Sequence, residues 1–190
     1  MSVRSLLFCL ALAPLALPSL ASAAAQPEDK AFDAFQQVCV APVGEFADVV
    51  KAADGGGWTS AQVLAETPPG VSNTDKAARG KNVDGTDLRL FATRGIAHPK
   101  GGDVVMSTCT VNSNIGNLGD LPTRAQTMLG VAPVSTTATS ATFHVAGGQG
   151  AWRSVADNGV DAAIAGGGLD VITVKTEGTS VILDYIKITK

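Results

Sequence analysis

The chain has 190 residues, three cysteines, two histidines and a formal net charge of −3. Such mild acidity excludes a phosphate-neutralising surface as the chain's main business, because nucleic-acid binding needs clustered lysine and arginine. After the first 25 residues no apolar run approaches the ~18 residues of a membrane-spanning helix, so the mature chain is expected to be soluble.

Residues 1–25 read as a secretory signal peptide. Arg4 supplies the positive start, Leu6–Leu17 the apolar stretch, and Ala21–Ala25 two small-x-small cleavage sites. The stretch is broken by Pro14 and Pro18 and is too short to cross a bilayer of ~30 Å. Cys9 stands at the start of the apolar run, where it cannot become a lipidated first residue. Cleavage removes the single positive charge of Arg4 and takes the net charge from −3 to −4. The remaining residues, 26–190, fit one domain, large enough to bury about 70% of its unfolded surface without a lattice of disulfides.

The mature chain opens with a helical pattern over 28–40, in which Phe32, Phe35 and Cys39 share a face and Glu28 and Asp29 suit the positive end of the helix dipole. Pro42 and Gly44 stop it. A second helix is expected over 45–54, with Phe46, Val49, Val50 and Ala53 inward, ended by Gly55–Gly57. Residues 66–86 are polar, carry Pro68-Pro69 and several turn formers, and are read as a loop within the domain. Alternation returns at 87–95, and with 104–112 it predicts an antiparallel hairpin with a long tip. Residues 121–130 suit a helix ending at Gly130. The last third reads as strands at 140–147, 150–156, 169–175 and 180–188, the final two joined by the turn Thr176–Thr179. The fold class is therefore α+β, an antiparallel sheet packed with about three helices and one disulfide.

The disulfide is assigned to Cys39 and Cys109. An exported chain with two mature cysteines pairs them in the ordinary case. Cys109 shares a strand face with Val105, Ser107 and Val111, and Cys39 shares a helix face with Phe32 and Phe35. A nucleophilic thiolate would need an accessible, electropositive setting, and Cys109 sits among valine, threonine and serine. No metal centre is expected, since the cysteines and histidines lack short-range ligand spacing.

Other motifs resolve into turns. Gly147–Gly150 and Gly166–Gly168 lack the third glycine of a dinucleotide loop, and Asp75 stands where the loop leading to Gly80-Lys81 would need glycine. Asp84-Gly85 lacks the acids of a calcium loop and reads as a tight turn. No cofactor is expected. Residues 76–100 hold six cations against Asp84 and Asp87. Arg89, Arg94, His98 and Lys100, near the hairpin tip, form a candidate basic strip for a small anionic ligand or an envelope partner. Trp58 and Trp152 are read as packing residues.

The positions Phe35–Cys39, Ala53–Trp58, Cys109–Val111, Leu129–Pro133 and Trp152, taken together, resemble a group of small uncharacterised exported proteins of alphaproteobacteria. The resemblance implies a Gram-negative periplasmic or secreted setting and brings no catalytic residues. The leading functional expectation is a non-enzymatic binding or interaction module of the cell envelope. Its rivals are a hydrolase with a dispersed site, using His98 or His144 with an aspartate such as Asp103, and a purely structural or stress-related envelope protein.

Overall fold

Pro27 at the first helical position and the acidic pair Glu28-Asp29 start α1 (Pro27–Phe35). The computed structural model describes residues 25–62, 71–99, 101–148 and 150–190, excepting the side chains of Asn73 and Thr74. The expected signal peptide up to residue 24, the 66–70 part of the expected loop and Lys100 lie outside the described residues. Asp29 caps α1 by accepting the Gln26 backbone N–H at 3.0 Å. The helix then widens into a π turn (Gln36–Val40), closed by Ala41 N–H donating to the Gln36 carbonyl at 2.9 Å. This wider turn buries Val38, Cys39 and Val40 in succession. A regular α-helix would have turned one of them outward. Positive φ at Val43 and Gly44 reverses the chain into α2 (Phe46–Gly55). Gly44 is doubly required there, because a Cβ would also strike the Tyr185 ring.

Among the described residues nine strands form one antiparallel sheet in the order β1-β2-β3-β4-β9-β8-β6-β5, with β7 pairing β6. These are β1 (Thr59–Ser60), β2 (Val71–Val83), β3 (Thr86–Ala97), β4 (Val104–Ser113), β5 (Ser135–Thr136), β6 (Ser140–Ala146), β7 (Arg153–Ser154), β8 (Leu169–Glu177) and β9 (Ser180–Thr189). The remaining helices are α3 (Leu121–Leu129) and the short α4 (Val160–Ala165). The C-terminal hairpin closes the sheet: β9 lies between β4 and β8, so the last strand joins the N-terminal meander to the rest.

Period-2 alternation divides the sheet into two faces. One face meets α1, α2 and α3. Its central row runs across five strands as Ala92, Cys109, Tyr185, Ile172 and Phe143, all fully buried. The other face is joined by polar cross-strand pairs: Thr93 with Thr108 at 2.7 Å, Thr110 donating to Asp184 at 2.7 Å, and Thr142 with Thr173 at 3.3 Å.

Cys39 and Cys109 are disulfide-bonded, with Cα atoms 5.6 Å apart across 70 residues of sequence. Closing a loop of that length stabilises by about 4 kcal/mol on the chain-entropy model. Arg124 ties α3 to α1 by pairing with Asp29 and Asp33, and its guanidinium lies 4.4 Å from the Phe32 ring centre.

Two readings of the sequence need correction. The polar stretch 66–86 is not a loop over its described part: β2 pairs with β3 from Val71 to Val83, and only Asp84-Gly85 turns. Both turn residues have positive φ, as a two-residue hairpin requires. The polar character of β2 reflects its place beside the sheet edge, covered among the described residues by the two residues of β1. The strand expected at 150–156 shrinks to Arg153–Ser154, and α4 follows as a fourth helix that the pattern did not announce.

Candidate functional site

Five strand ends meet at one end of the sheet: β3 and β9 finish there with β6, and β4 and β8 begin there. The six residues of α4 lie across this end, none of them buried. A cavity of about 840 Å³ opens between α4 and the β3–β4 tip. Its walls are apolar, with Val71, Val104, Met106, Ile164 and Ile188 among them. Met106 and Ile188 are register partners on the face away from the large helices, and both line the cavity. His98, Asp161 and Lys190 supply the polar part of the lining.

His98 is held by local geometry. The turn closed by Gly102 N–H to the Pro99 carbonyl at 3.1 Å brings the two ends of the tip together. His98 Nδ1 then lies 2.8 Å from Asp103 Oδ1. A carboxylate at Nδ1 selects the Nδ1–H tautomer and leaves Nε2 as acceptor or base. Both side chains are more than half exposed, at 58% and 70%. The pair is thus a solvent-washed rim group beside an apolar cavity. Among the described residues no serine or threonine hydroxyl is hydrogen-bonded to His98, and Cys39 and Cys109 are oxidised to the disulfide. The rim therefore offers an acceptor, or a base for water, at His98 Nε2.

His144 is built differently. It lies on β6, 3.4 Å from Asp157 through Nδ1, without hydrogen-bond geometry. Asp157 is 84% exposed, so this contact makes no enclosed acid–base pair.

The structure does not gather the candidate basic strip onto one surface. Arg89 and Arg94 are five residues apart on a regular ladder and so fall on opposite faces of β3. Arg94 approaches Asp75 at 4.0 Å. Arg79 bonds Asp54 at 2.8 Å and Lys81 donates to the Gly56 carbonyl at 2.8 Å, holding the C-terminal end of α2. Of the four strip residues, only His98 reaches the cavity among the described ones, and Lys100 lies outside them. Trp58 is buried, and Trp152 meets Tyr185 edge-on with ring centres 6.4 Å apart, so both tryptophans pack rather than present a stacking platform.

Sequence reasoning found His98 and Asp103 but missed the cavity wall. The signal for Ile164 was weak, an alanine-rich "VDAAIA" between glycines, too short for helical periodicity to register. Among the described residues no cluster of three or more metal-ligating side chains exists, and no helix is long and apolar enough to cross a membrane. The chain matches no family model, no curated protein and no solved structure.

Proposed function

We propose that the chain is a non-enzymatic binding module that takes a small molecule with an aliphatic body and a hydrogen-bonding head into the cavity beside α4. The observation that carries this reading is the pairing of apolar walls with His98–Asp103 at the rim of a space of about 840 Å³. Cavities of roughly 300–1,000 Å³ with apolar walls and few polar groups are the usual form of small-molecule sites. Asp103 and Asp161 offset His98 and Lys190 around the rim, which favours a neutral head over the anionic ligand expected from the sequence. A signal peptide and a disulfide suit an oxidising compartment outside the cytoplasm, such as the periplasm.

The His98–Asp103 distance supports a second reading, in which Nε2 deprotonates a water for ester hydrolysis. The two readings separate in one experiment. The mature protein is titrated with N-phenyl-1-naphthylamine, whose fluorescence rises in apolar surroundings, and the probe is displaced with decanol or decanoate. Decanol is expected to compete more strongly than decanoate, and Ile164→Asp to weaken probe binding by about tenfold or more. Incubation with p-nitrophenyl decanoate is expected to show no turnover above buffer. Turnover that His98→Ala abolishes would establish the hydrolase reading instead. Probe binding unaffected by Ile164→Asp would refute the cavity.

A further inference from the structure

On the other side of α4 a separate cleft of about 560 Å³ is lined by Asp170, Lys187, Arg153 and a wall of small residues that includes Gly147 and Gly166–Gly168. It shares none of the cavity residues named above. Asp170 is 5% exposed, and its Oδ1 is buried without a hydrogen-bond partner. The fully buried Tyr185 hydroxyl faces this carboxyl without reaching full hydrogen-bond geometry. Lys187 is the register partner of Asp170, yet its ammonium lies 2.9 Å from Glu45 Oε1 and 3.5 Å from the Val43 carbonyl. Lys187 is therefore committed to another carboxylate, and among the described residues Asp170 makes no ion pair.

A buried carboxyl group whose protein donor is poorly aligned is costly, and a ligand that brings a better-placed donor removes part of that cost. Asp170 accordingly has its pKa raised to about 6, first by burial, with the Tyr185 hydroxyl and Lys187 opposing the rise and Glu45 adding to it. The carboxyl remains the ionised species at neutral pH. A charged donor answers it better than a neutral one, since hydrogen bonds between ionised partners are about twice as strong. Rotation about χ2, a soft two-fold torsion, exchanges which oxygen meets the cleft. Two of the wall glycines are required by the backbone itself. Gly147 has φ 122°, and a Cβ there would lie 2.5 Å from the Ala151 carbonyl oxygen. Gly168 has φ 131°, and a Cβ there would lie 3.1 Å from the Ile188 carbonyl oxygen.

We propose that this cleft is a second binding site, selective for small primary ammonium compounds whose N–H groups donate to the Asp170 carboxylate. Arg153, on the cleft lining, suits a ligand that carries hydroxyl or carboxylate oxygens beside its ammonium. The inference stands apart from the aliphatic cavity and survives if that cavity proves empty of function.

Calorimetric titration of the mature protein with glucosamine and with ethanolamine tests it, with glucose and ethylene glycol as the neutral counterparts. Both amines are expected to bind, the neutral compounds to bind at least about tenfold more weakly, and Asp170→Asn to reduce amine affinity by about tenfold or more. Asp184→Asn, at the half-buried carboxyl of the Thr110–Lys175 network, is expected to leave amine affinity unchanged. Carbon-detected titration of the unaltered protein reads the same contact without a variant. Saturating ethanolamine is expected to lower the Asp170 pKa by about one unit, as a new positive neighbour must. Glucose binding as tightly as glucosamine, no amine binding, or an Asp170 pKa unmoved by ethanolamine would each overturn the proposal.

Discussion

Asp170 shows how a single residue records a conflict between fold and charge. Its position on β8, fixed by pairing with Val145 and Lys187, places a carboxyl where alternation demands an inward side chain. The groups that face it are Tyr185 and Lys187 from β9 and Glu45 at the start of α2. Because the folded-state pKa is raised from 3.8 to about 6, the folded protein holds a proton through that interval that the unfolded chain has released. Stability from this group is therefore present below pH 4, falls as pH rises to 6, and is constant above. A shift of this size corresponds to about 3 kcal/mol at most, and about 2 kcal/mol after screening by the neighbouring charges. Asp170→Asn does not titrate, so between pH 4 and pH 7 it should lose about 2 kcal/mol less than the unaltered protein. That is roughly 4–8 °C in Tm by thermal unfolding at the two pH values. Parallel Tm profiles would show that the carboxyl is solvated.

At the scale of elements, the sequence was most legible where burial is one-sided. The helical faces of α1 and α2, the 87–95 and 104–112 hairpin and the C-terminal hairpin all carry an apolar period set by one packed face. Strand β2 was misread because its inward positions near the edge are Arg79 and Lys81, which reach over to α2 instead of filling a core. Their polarity made a strand resemble a loop. Helix α4 escaped because six residues hold less than two turns of pattern. The disulfide was legible because helix and strand periodicities independently turned Cys39 and Cys109 inward, and both are fully buried. It fastens the π turn that follows α1 to β4, and Cys39→Ala with Cys109→Ala should lower the unfolding free energy in urea by about 4 kcal/mol. A loss below about 1 kcal/mol would mean that packing alone holds α1 in place.

For the whole molecule, the decisive feature is β9. The sheet has no continuous path from β4 to β8 until the last strand enters, so the end of the sheet that bears both clefts is completed by the end of the chain. Ile188 belongs to the aliphatic cavity and Lys187 to the Asp170 cleft, one residue apart on opposite faces of β9. This placement was not legible in the sequence, because strand order follows from long-range pairing that local patterns do not encode. The cations between 76 and 100 looked like one patch in one dimension. In three dimensions parity separates Arg89 from Arg94, and Arg79 and Lys81 serve α2. The fold thus spreads the expected basic strip over different surfaces, and the binding surface proposed above lies at the strand ends around α4.

The chain supplies its own reporter for that surface. Beyond Met1 the chain has two methionines, Met106 on the cavity wall and Met128 on α3, whose surroundings are Phe32, Arg124 and Thr127. With carbon-13 in the methionine methyl groups, titration with decanol should move the Met106 resonance in a saturable way and leave Met128 in place. A Met106 resonance unmoved at saturating decanol, or one that moves no more than Met128, would contradict the assignment of the cavity beside α4 as the binding site.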